Sequence, residues 1–380
     1  MFRNSRMTNN LQHALVIGGG IVGNLTAYLL ATRGFKVTVI EADSLGSHAS
    51  GFAFGELGDL EGAGIPDPLL NFSVWCNKRH ESLSTELYEV SGIDNEFTTV
   101  QRVTLAFTSE EETRLKDHLK WQTQVEEYDT YWMNPDELTA LEPRISSRCL
   151  GGAYISNAKA VEPYRCTLAA AQSAQKLGVE TLLRKVTNLL GRGGTCEGVE
   201  FFGGRIQSDL VVLAMGPWTK LASEWCGIDI PVTPLKGQML RLKTNGEPLK
   251  ASFHYGSSYA ASKSDGLIWA GTTEETVGFD ETTTVEARDG IMADLLQSLP
   301  FLEDAELNQQ TACLRPWSSD GIPIVCKAPG WDNLYICTGG GRKGILWSTG
   351  MAEGIVDIIL NRNSVVPSLE ELHISRFRGI

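Results

Sequence analysis

The segment from Ala14 to Glu41 constrains the fold of this chain more than any other feature. A short apolar strand, Ala14–Ile17, is followed by the glycine turn Gly18-Gly19-Gly20-Ile21-Val22-Gly23, a helix over Asn24–Thr32 and a β-branched strand that ends at Glu41. A GxGxxG turn that opens a helix, with a carboxylate at the end of the next strand, is typical of a dinucleotide-binding βαβ unit. The sequence therefore predicts an α/β fold that binds a dinucleotide at this point.

The residues of this unit have distinct predicted roles. Gly18 makes the tight turn, Gly20 lets a pyrophosphate approach the backbone, and Gly23 lets the helix pack on the strand. The first amides of the helix attract phosphate, and Glu41 accepts hydrogen bonds from ribose hydroxyls, which disfavours NADP. The predicted dinucleotide contacts are Gly18, Gly20, Ile21, Val22, Gly23, Glu41 and Ala42. This fingerprint alone leaves FAD and NAD open.

The remaining chain alternates between helical and strand-like patterns. Ser44–Gly64, which is rich in Gly, Ala and Ser, is predicted to be a loop or a helix start held close to a ligand. Periodicity and turn residues predict helices over Leu69–Val90, Ser109–Glu127, Asn134–Leu141, Pro163–Leu177, Val285–Leu299 and Leu346–Leu360. They predict strands over Thr98–Phe107, Glu180–Leu190, Leu210–Ala214, Gln238–Leu242, Tyr255–Ala261, Leu267–Thr273 and Leu334–Cys337, and a hairpin of Cys196–Phe202 with Gly204–Ile206. Between Pro231 and Gln309 this pattern favours a mostly antiparallel sheet.

Charge and cysteine usage narrow the functional classes. The formal net charge of −13 argues against nucleic acid or an anionic membrane as the main partner. No apolar run reaches the length of about 18 residues that a membrane span needs, and Met1–Asn10 lacks the apolar region of a signal peptide. The eight cysteines contain no CxxC motif and no zinc-ligand spacing. We expect reduced thiols, no metal site and a cytoplasmic location.

Six segments between Ala14 and about Leu360 carry a family resemblance. They are Val16–Asp43, His48–Ala53, Asp209–Trp218, Pro234–Met239, Leu314–Pro323 and Gly339–Leu346. In this order and at this spacing they resemble the D-amino-acid oxidase family of FAD-dependent oxidoreductases, and its glycine oxidase and sarcosine oxidase branches in particular. The resemblance implies that the dinucleotide is FAD.

The resemblance also extends the list of expected cofactor contacts. The loop at His48 is similar to the one that lies under the flavin pyrophosphate in the family, and the glycine turn before the last helix is similar to the one that reaches the flavin ring. The additional contacts implied are His48, Ala49, Ser50, Gly51, Val186, Ala214, Gly216, Trp218, Gly340, Gly341, Arg342, Lys343, Gly344 and Ile345. Arg342 and Lys343 either add positive charge at the ring or are simply solvated.

The implied fold class is α/β, or α+β overall. It has a Rossmann-like FAD-binding domain interleaved with a mostly antiparallel β-sheet substrate domain. The predicted FAD-binding domain is discontinuous and comprises residues 12–95, 150–230 and 310–365. The predicted substrate-binding domain comprises residues 96–149 and 231–309.

The resemblance implies oxidation of a carbon next to nitrogen, with hydride passing to flavin N5 and the resulting imine hydrolysing. Arg315 matches the family's carboxylate-binding arginine; the alternative is a structural salt bridge. Tyr259 matches a tyrosine that helps to hold that carboxylate in glycine oxidases; the alternative is a half-buried strand tyrosine. His254 and Tyr255 are expected to line the same cavity. No general base is assigned, because the family binds the neutral amine.

The start of the last helix and two further positions, Leu346 and Cys313, bear on how this chain relates to the branches of the family. The reduced flavin carries negative charge near N1 and C2=O, which the amides of the helix beginning near Gly344 can stabilise. Leu346 replaces the lysine of sarcosine oxidases. Cys313 falls where sarcosine-oxidase-like proteins carry a covalent flavin link, but the Leu-Arg-Pro that follows is as in glycine oxidases, so non-covalent FAD is favoured.

Three functions of different classes remain open at this stage. The first is an oxidase of glycine, a D-amino acid or an N-alkyl amino acid that uses oxygen. The second is a flavin subunit of an amino-acid or opine dehydrogenase that passes electrons to a partner or a quinone. The third is an FAD protein with another activity, such as one acting on a modified nucleoside. A homo-oligomer and a hetero-complex are both compatible with the sequence.

Overall fold

The computed structural model describes residues 12–60, 68–126, 128–192 and 194–379. Three predictions fall partly or wholly outside these residues. They are the N-terminal segment Met1–Asn10, the end of the Ser44–Gly64 loop and the last residue of the Ser109–Glu127 helix.

The predicted helices and most of the predicted strands are present, together with further elements that were not predicted. The helices are α1 Ile21–Thr32, α2 Ala49–Phe52, α3 Leu70–Ser91, α4 Ser109–Gln122, α5 Pro135–Leu141, α6 Pro163–Lys176, α7 Ala222–Cys226, α8 Val285–Ser298 and α9 Gly344–Ile359. The first strands are β1 His13–Ile17, β2 Lys36–Glu41, β3 Thr98–Ala106, β4 Thr130–Met133, β5 Gly151–Ala160, β6 Glu180–Leu183, β7 Val186–Arg192, β8 Thr195–Phe201, β9 Gly204–Gln207 and β10 Leu210–Leu213. The later strands are β11 Val232–Lys243, β12 Ser252–Tyr255, β13 Ser258–Ser262, β14 Ile268–Gly271, β15 Glu306–Ser318, β16 Ile324–Lys327 and β17 Leu334–Thr338.

The first large sheet has the strand order β16-β17-β10-β1-β2-β6, and all its pairs except β16–β17 are parallel. Successive side chains of a strand face opposite sides. Val16 therefore packs with α1, α3, α6 and α9 on one face. Leu15 and Ile17 pack with the small antiparallel sheet β7-β8-β9 on the other. The carboxyl ends of β1, β2 and β10 meet at one edge, which is where a doubly wound sheet binds its ligand.

The second large sheet has the order β15-β11-β14-β13-β12-β3-β5-β4 and is antiparallel except at the β12–β3 pair. Helix α8 covers one face, where Ile291 and Leu295 pack with Leu240 and Phe253. The predicted fold class, a Rossmann-like parallel sheet combined with a mostly antiparallel sheet, is confirmed.

Two predicted strands are wrong because the chain breaks inside them. The predicted Glu180–Leu190 strand divides at Arg184, whose N–H donates to the carbonyl of Glu41 (2.7 Å) at the end of the β2–β6 ladder. The chain then enters the small sheet as β7. The predicted Tyr255–Ala261 strand is the hairpin of β12 and β13, which reverses at Gly256 with φ of 59°. Helix α1 also begins three residues earlier than predicted, at Ile21.

Several strands were not predicted, and the sheet membership of two of them disagrees with the proposed domain boundaries. β5 pairs with β3 and β4, and β15 pairs with β11 along its length. Both lie in the second sheet, whereas the predicted boundaries at residues 150 and 310 place all of β5 and most of β15 with the cofactor. Partner strands far apart in sequence decide sheet membership, so the local pattern did not reveal it. The division into two domains remains a prediction.

Candidate active site

One elongated cavity of about 1010 Å³ lies between the two large sheets. Residues at the carboxyl ends of β1, β2 and β10 line one end, and residues of β11, β12, β13 and β15 line the other. Most of the residues that the sequence analysis selected line this cavity; the exceptions are Gly23, Gly51 and Tyr255. The cavity therefore brings the predicted cofactor contacts and the predicted substrate contacts into one continuous space.

The glycine turn is packed too tightly for side chains. Gly18 has φ of 110°, and a Cβ atom there would lie 2.3 Å from the carbonyl oxygen of Ala214. A Cβ atom on Gly23 would lie 2.0 Å from the carbonyl oxygen of Gly18, so Gly23 fits the helix against the turn rather than facing the cavity. Because α1 starts directly after Gly20, its first amides reach the cavity; that of Ile21 donates to Ser50 Oγ (3.0 Å).

Glu41 is positioned by the backbone around it. The N–H of Gly19 donates to one carboxylate oxygen (2.6 Å) and that of Asp43 donates to the other (2.9 Å). Each carboxylate oxygen has two acceptor sites, so both oxygens can accept one more hydrogen bond from a ligand. Glu41 is only 9% exposed, yet it lines the cavity. This arrangement suits a pair of ribose hydroxyls.

His48 connects the loop before α2 to the segment after β14. Its ring bonds Asp43 Oδ2 (2.9 Å) and Glu281 Oε1 (3.0 Å), and it packs on Trp218 with ring centroids 4.6 Å apart. Burial by itself would lower the pKa of His48, but the hydrogen bonds to the two carboxylates raise it above its ordinary value. Because carboxylate oxygens accept, both ring nitrogens of His48 are placed to donate, which favours the protonated ring on the cavity wall. Ala49, Ser50, Val186, Ala214, Gly216 and Trp218 line the same part, whereas Gly51 packs on the carbonyl of Gly46.

The start of α9 follows the carboxyl end of β17, at the same edge of the parallel sheet as the ends of β1 and β10. The predicted contacts Gly340, Gly341, Arg342, Lys343, Gly344 and Ile345 all line the cavity. His80 Nε2 donates to the carbonyls of Ile345 (2.9 Å) and Leu346 (3.1 Å), which fixes the first turn of the helix. Burial lowers the pKa of His80 to about 4, so this brace is neutral. The amides at the start of α9 can therefore act on a ligand as a partial positive charge.

Arg315 supplies a positive charge in the substrate part of the cavity. Its Nη2 donates to Thr272 Oγ1 (2.8 Å) and its Nη1 donates to the carbonyl of Thr273 (3.2 Å). In the described part of the chain, no carboxylate lies within salt-bridge distance of this guanidinium, so the predicted alternative of a structural salt bridge is not observed. The remaining N–H groups can bind a carboxylate in a bidentate manner.

Tyr259 lies beside Arg315 and shares a partner with it. The Thr272 side chain hydrogen-bonds to the Tyr259 hydroxyl as well as to Arg315. Burial raises the pKa of Tyr259 to about 12, so its hydroxyl stays protonated and can donate. Thr272 was not among the predicted site residues, because it falls inside the predicted strand Leu267–Thr273 and belongs to no motif.

His254 and its neighbour Tyr255 point to opposite sides of β12. Arg102 Nη2 donates to His254 Nδ1 (3.2 Å), and His254 Nε2 lies 2.9 Å from Glu56 Oε2. Because Arg102 can only donate, Nδ1 is the acceptor and Nε2 carries the proton toward Glu56. Tyr255 does not line the cavity, contrary to prediction: its ring packs on Phe107. The alternation of side chains along a strand explains the difference.

Two acidic residues that the sequence analysis missed also line the substrate part. Burial would raise the pKa of Glu56, but His254 and Arg102 lower it to about 2, so Glu56 is ionised. Glu274 forms a two-point ion pair with Arg342, whose Nε and Nη2 donate to its two carboxylate oxygens. Arg342 also stacks on Trp317, 4.8 Å from the ring centroid. Neither acid stands in a recognisable motif, and only tertiary structure brings them to the cavity.

Cys313 lies two residues before Arg315 on β15 and lines the same cavity. It is only 7% exposed, and burial raises the pKa of its thiol. The other cysteines are also buried. Within the described residues, no group of three or more His, Cys, Asp and Glu side chains is arranged to hold a metal ion. None of the described helices is long and apolar enough to span a bilayer.

Comparisons with known proteins agree on one family. The family model described as FAD dependent oxidoreductase matches residues 13–358. The glycine oxidase of Bacillus subtilis is 26% identical over 368 residues, covering 97% of this chain and 98% of that protein. Hydrogen cyanide synthase subunit HcnC of Pseudomonas protegens is 27% identical over 392 residues, covering 92% and 93%. The crystal structure of glycine oxidase from Bacillus cereus has a TM-score of 0.87 at 27% identity, covering 93% of this chain and 96% of that one.

Proposed function

Because this chain belongs to the family of FAD-dependent oxidoreductases, we propose that it oxidises the carbon–nitrogen bond of a small amino acid or N-alkyl amino acid, such as glycine, sarcosine or a D-amino acid. The observation that carries the proposal is Arg315, a guanidinium with no carboxylate partner at salt-bridge distance among the described residues, beside the protonated hydroxyl of Tyr259. Together they form a site for the carboxylate of an amino acid.

The residues along the cavity fit FAD. The carboxylate of Glu41 would hold the ribose hydroxyls, and the amides at the start of α1 would bind the pyrophosphate. The start of α9, braced by His80, would face the flavin ring. FAD, when bound, supplies the acceptor for the hydride that leaves the substrate, and this hydride carries both electrons of the oxidation.

The protein's own contribution is to bind and orient the amine. Arg315 and Tyr259 fix the carboxylate, and this fixes Cα one bond away. The Cα–H bond breaks with departure of hydride, the nitrogen loses a proton, and the resulting imine is hydrolysed by water to a carbonyl compound and the free amine or ammonia. His254 is engaged on both ring nitrogens by Arg102 and Glu56. We therefore assign it the role of positioning the cavity wall rather than accepting a proton.

The test is reduction of the flavin by candidate substrates. Purified holoprotein is mixed without oxygen with glycine, sarcosine and a panel of D-amino acids, and the flavin absorbance near 450 nm is followed. We expect bleaching with at least one of them and formation of hydrogen peroxide when oxygen is readmitted. Absence of bleaching with every member of the panel would contradict the proposal.

The similarity to a protein named as a subunit, HcnC, supports a second candidate. In this case the chain oxidises the same class of substrate but passes electrons to a protein partner or a quinone. The two candidates differ in their reaction with oxygen. After anaerobic reduction, rapid reoxidation in air favours the oxidase, whereas persistence of the reduced flavin until a quinone analogue or an artificial acceptor is added favours the second candidate.

A further inference from the structure

Glu274 places a negative charge on the wall of the substrate cavity. Its side chain is 34% exposed and forms the two-point ion pair with Arg342, whose side chain is 51% exposed. Both residues line the cavity. Glu274 directly follows Thr273, whose carbonyl accepts a hydrogen bond from Arg315. The pair is therefore next to the site proposed for the substrate carboxylate.

Among the described arginines in this part of the cavity, Arg102 and Arg342 are linked to carboxylates and Arg315 is not. Arg102 and the ionised Glu56 are joined through His254. Arg342 is engaged by Glu274, which leaves its guanidinium fork committed to a carboxylate of the protein itself. Arg315 has only neutral oxygens as hydrogen-bond partners. Arg315 therefore offers a ligand a positive charge that no described carboxylate holds at salt-bridge distance, which suits one substrate carboxylate.

We propose that Glu274 determines specificity by occupying Arg342, so that the cavity accepts substrates with one carboxylate and rejects those with two. A second carboxylate that reached this wall would meet the negative charge of Glu274 and would find Arg342 already paired. Discrimination through an unfavourable charge placed against the wrong ligand is a common device of specific sites. This inference rests on the proposed function, because it requires the carboxylate of the substrate to bind at Arg315.

The nearest acidic neighbour offers a matched control. Glu275 is adjacent in sequence and does not line the cavity. Its carboxylate accepts from Gln238 Nε2 (2.8 Å) and Thr273 Oγ1 (2.5 Å), and it lies 3.7 Å from Lys236 Nζ, which also pairs with Asp280 (3.0 Å). Glu275→Gln therefore removes the same charge from the same segment while the Glu274–Arg342 pair stays on the wall and Lys236 keeps Asp280 as its partner. A change in ligand affinity that occurs in Glu274→Gln but not in Glu275→Gln is therefore caused by the position of the charge and not by the net charge of the protein.

The experiment compares binding of two unreactive acids to the holoprotein by calorimetry. Acetate carries one carboxylate and malonate carries two. We expect Glu274→Gln to improve the affinity for malonate relative to acetate by about tenfold, since it removes a repulsive charge and releases Arg342. Wild type and Glu275→Gln should share one lower ratio. In turnover, the same variant should raise kcat/KM for iminodiacetate relative to sarcosine, two secondary amines that differ by one carboxylate.

The outcomes separate this inference from the proposed function. If Glu274→Gln binds FAD as well as wild type does and its ratio of malonate to acetate affinity is unchanged, the inference is overturned. Reduction of the wild-type flavin by an amino acid would still uphold the proposed function. Failure of both acids to bind overturns the inference as well, because Arg315 is then not a carboxylate site. If Glu274→Gln does not fold, Glu274→Met removes the same charge at similar length and must give the same change in ratio.

Discussion

Arg315 lies so close to the backbone of Gly237 that a Cβ atom at position 237 would be 2.2 Å from Nη2 and 2.3 Å from Nη1. The two residues belong to the paired strands β11 and β15, which run side by side over most of their length. The guanidinium therefore occupies space that any side chain at position 237 would fill. A glycine in the substrate sheet is thus part of the proposed carboxylate site, although it makes no polar contact itself.

The first prediction concerns this contact. Gly237→Ala should displace the Arg315 guanidinium from Thr272 and lower kcat/KM for the amino-acid substrate by about 10- to 100-fold, since a hydrogen bond to a charged group is worth about 1.5–3 kcal/mol. The FAD content should not change, because Gly237 lies on the substrate sheet. Steady-state kinetics measure kcat/KM, and the ratio of flavin to protein absorbance of the purified protein measures the FAD content.

Gly290 provides the control for this substitution. It lies in α8 without a positive φ, and apart from its own helix no described atom lies within 4 Å of the space that a Cβ atom would occupy. Gly290→Ala should leave the kinetics unchanged and stabilise the protein by about 0.5–1 kcal/mol, as expected for alanine in a helix. Equal kinetics for Gly237→Ala and wild type would contradict the role assigned to the close approach.

The second prediction concerns the hydroxyl that Arg315 and Tyr259 share. Thr272→Val keeps the shape of the side chain but removes the acceptor of the 2.8 Å hydrogen bond from Arg315. We expect acetate affinity and kcat/KM to fall by about tenfold, the lower part of the range for a hydrogen bond to a charged group. Thr272→Ser, which restores the hydroxyl, should recover most of the loss. If Ser and Val variants behave alike, the methyl group rather than the hydroxyl matters at this position.

The sequence analysis found much of the cofactor part of the cavity. Gly18, Gly20 and Glu41 belong to one continuous motif, in which each role depends on residues a few positions away. Local spacing was therefore sufficient to predict that they would lie together. The same is true of Gly340–Gly344, where a strand, a turn and a helix follow directly in sequence.

The substrate part could be predicted only in part, for a physical reason. Arg315 and Tyr259 were placed by resemblance, and both line the cavity. Glu56, Arg102 and Glu274 come from three separate segments, and strand pairing over long separations in sequence decides which of their side chains meet. Tyr255 was misplaced because the hairpin of β12 and β13 was taken as one strand. A shift of one residue along a strand moves a side chain to the other face.

The third prediction is a dependence of stability on pH at His48. Asp43 and Glu281 raise its pKa in the folded protein above the value of about 6.5 in the unfolded chain. A group with a raised pKa contributes its full stabilisation at pH values below its pKa in the unfolded chain. This contribution is lost as the pH rises through its pKa in the folded protein. Glutamine keeps a hydrogen-bonding side chain without the charge. The difference in unfolding free energy between wild type and His48→Gln should therefore be larger at pH 6 than at pH 9.

The measurement for His48 is urea unfolding of both holoproteins at saturating FAD, at the two pH values and the same ionic strength. The ring faces Asp43 from its own loop, Glu281 from the segment after β14 and the uncharged Trp218 from the turn after β10. His48 is the member of this group whose pKa differs from its ordinary value. An equal difference at both pH values would show that the imidazolium does not contribute.

The fourth prediction is that FAD binds without a covalent bond. Cys313 lines the cavity and stands where the family resemblance places a covalent link, but its thiol is buried and its pKa is raised, which disfavours the nucleophilic thiolate. Precipitation of the holoprotein with acid should therefore release the flavin into the supernatant, and a denaturing gel should show no fluorescent band. Cys313→Ala should retain FAD to the same extent as wild type, because the residue only packs in the cavity wall. A fluorescent band that disappears in Cys313→Ala would instead establish a covalent link at this residue.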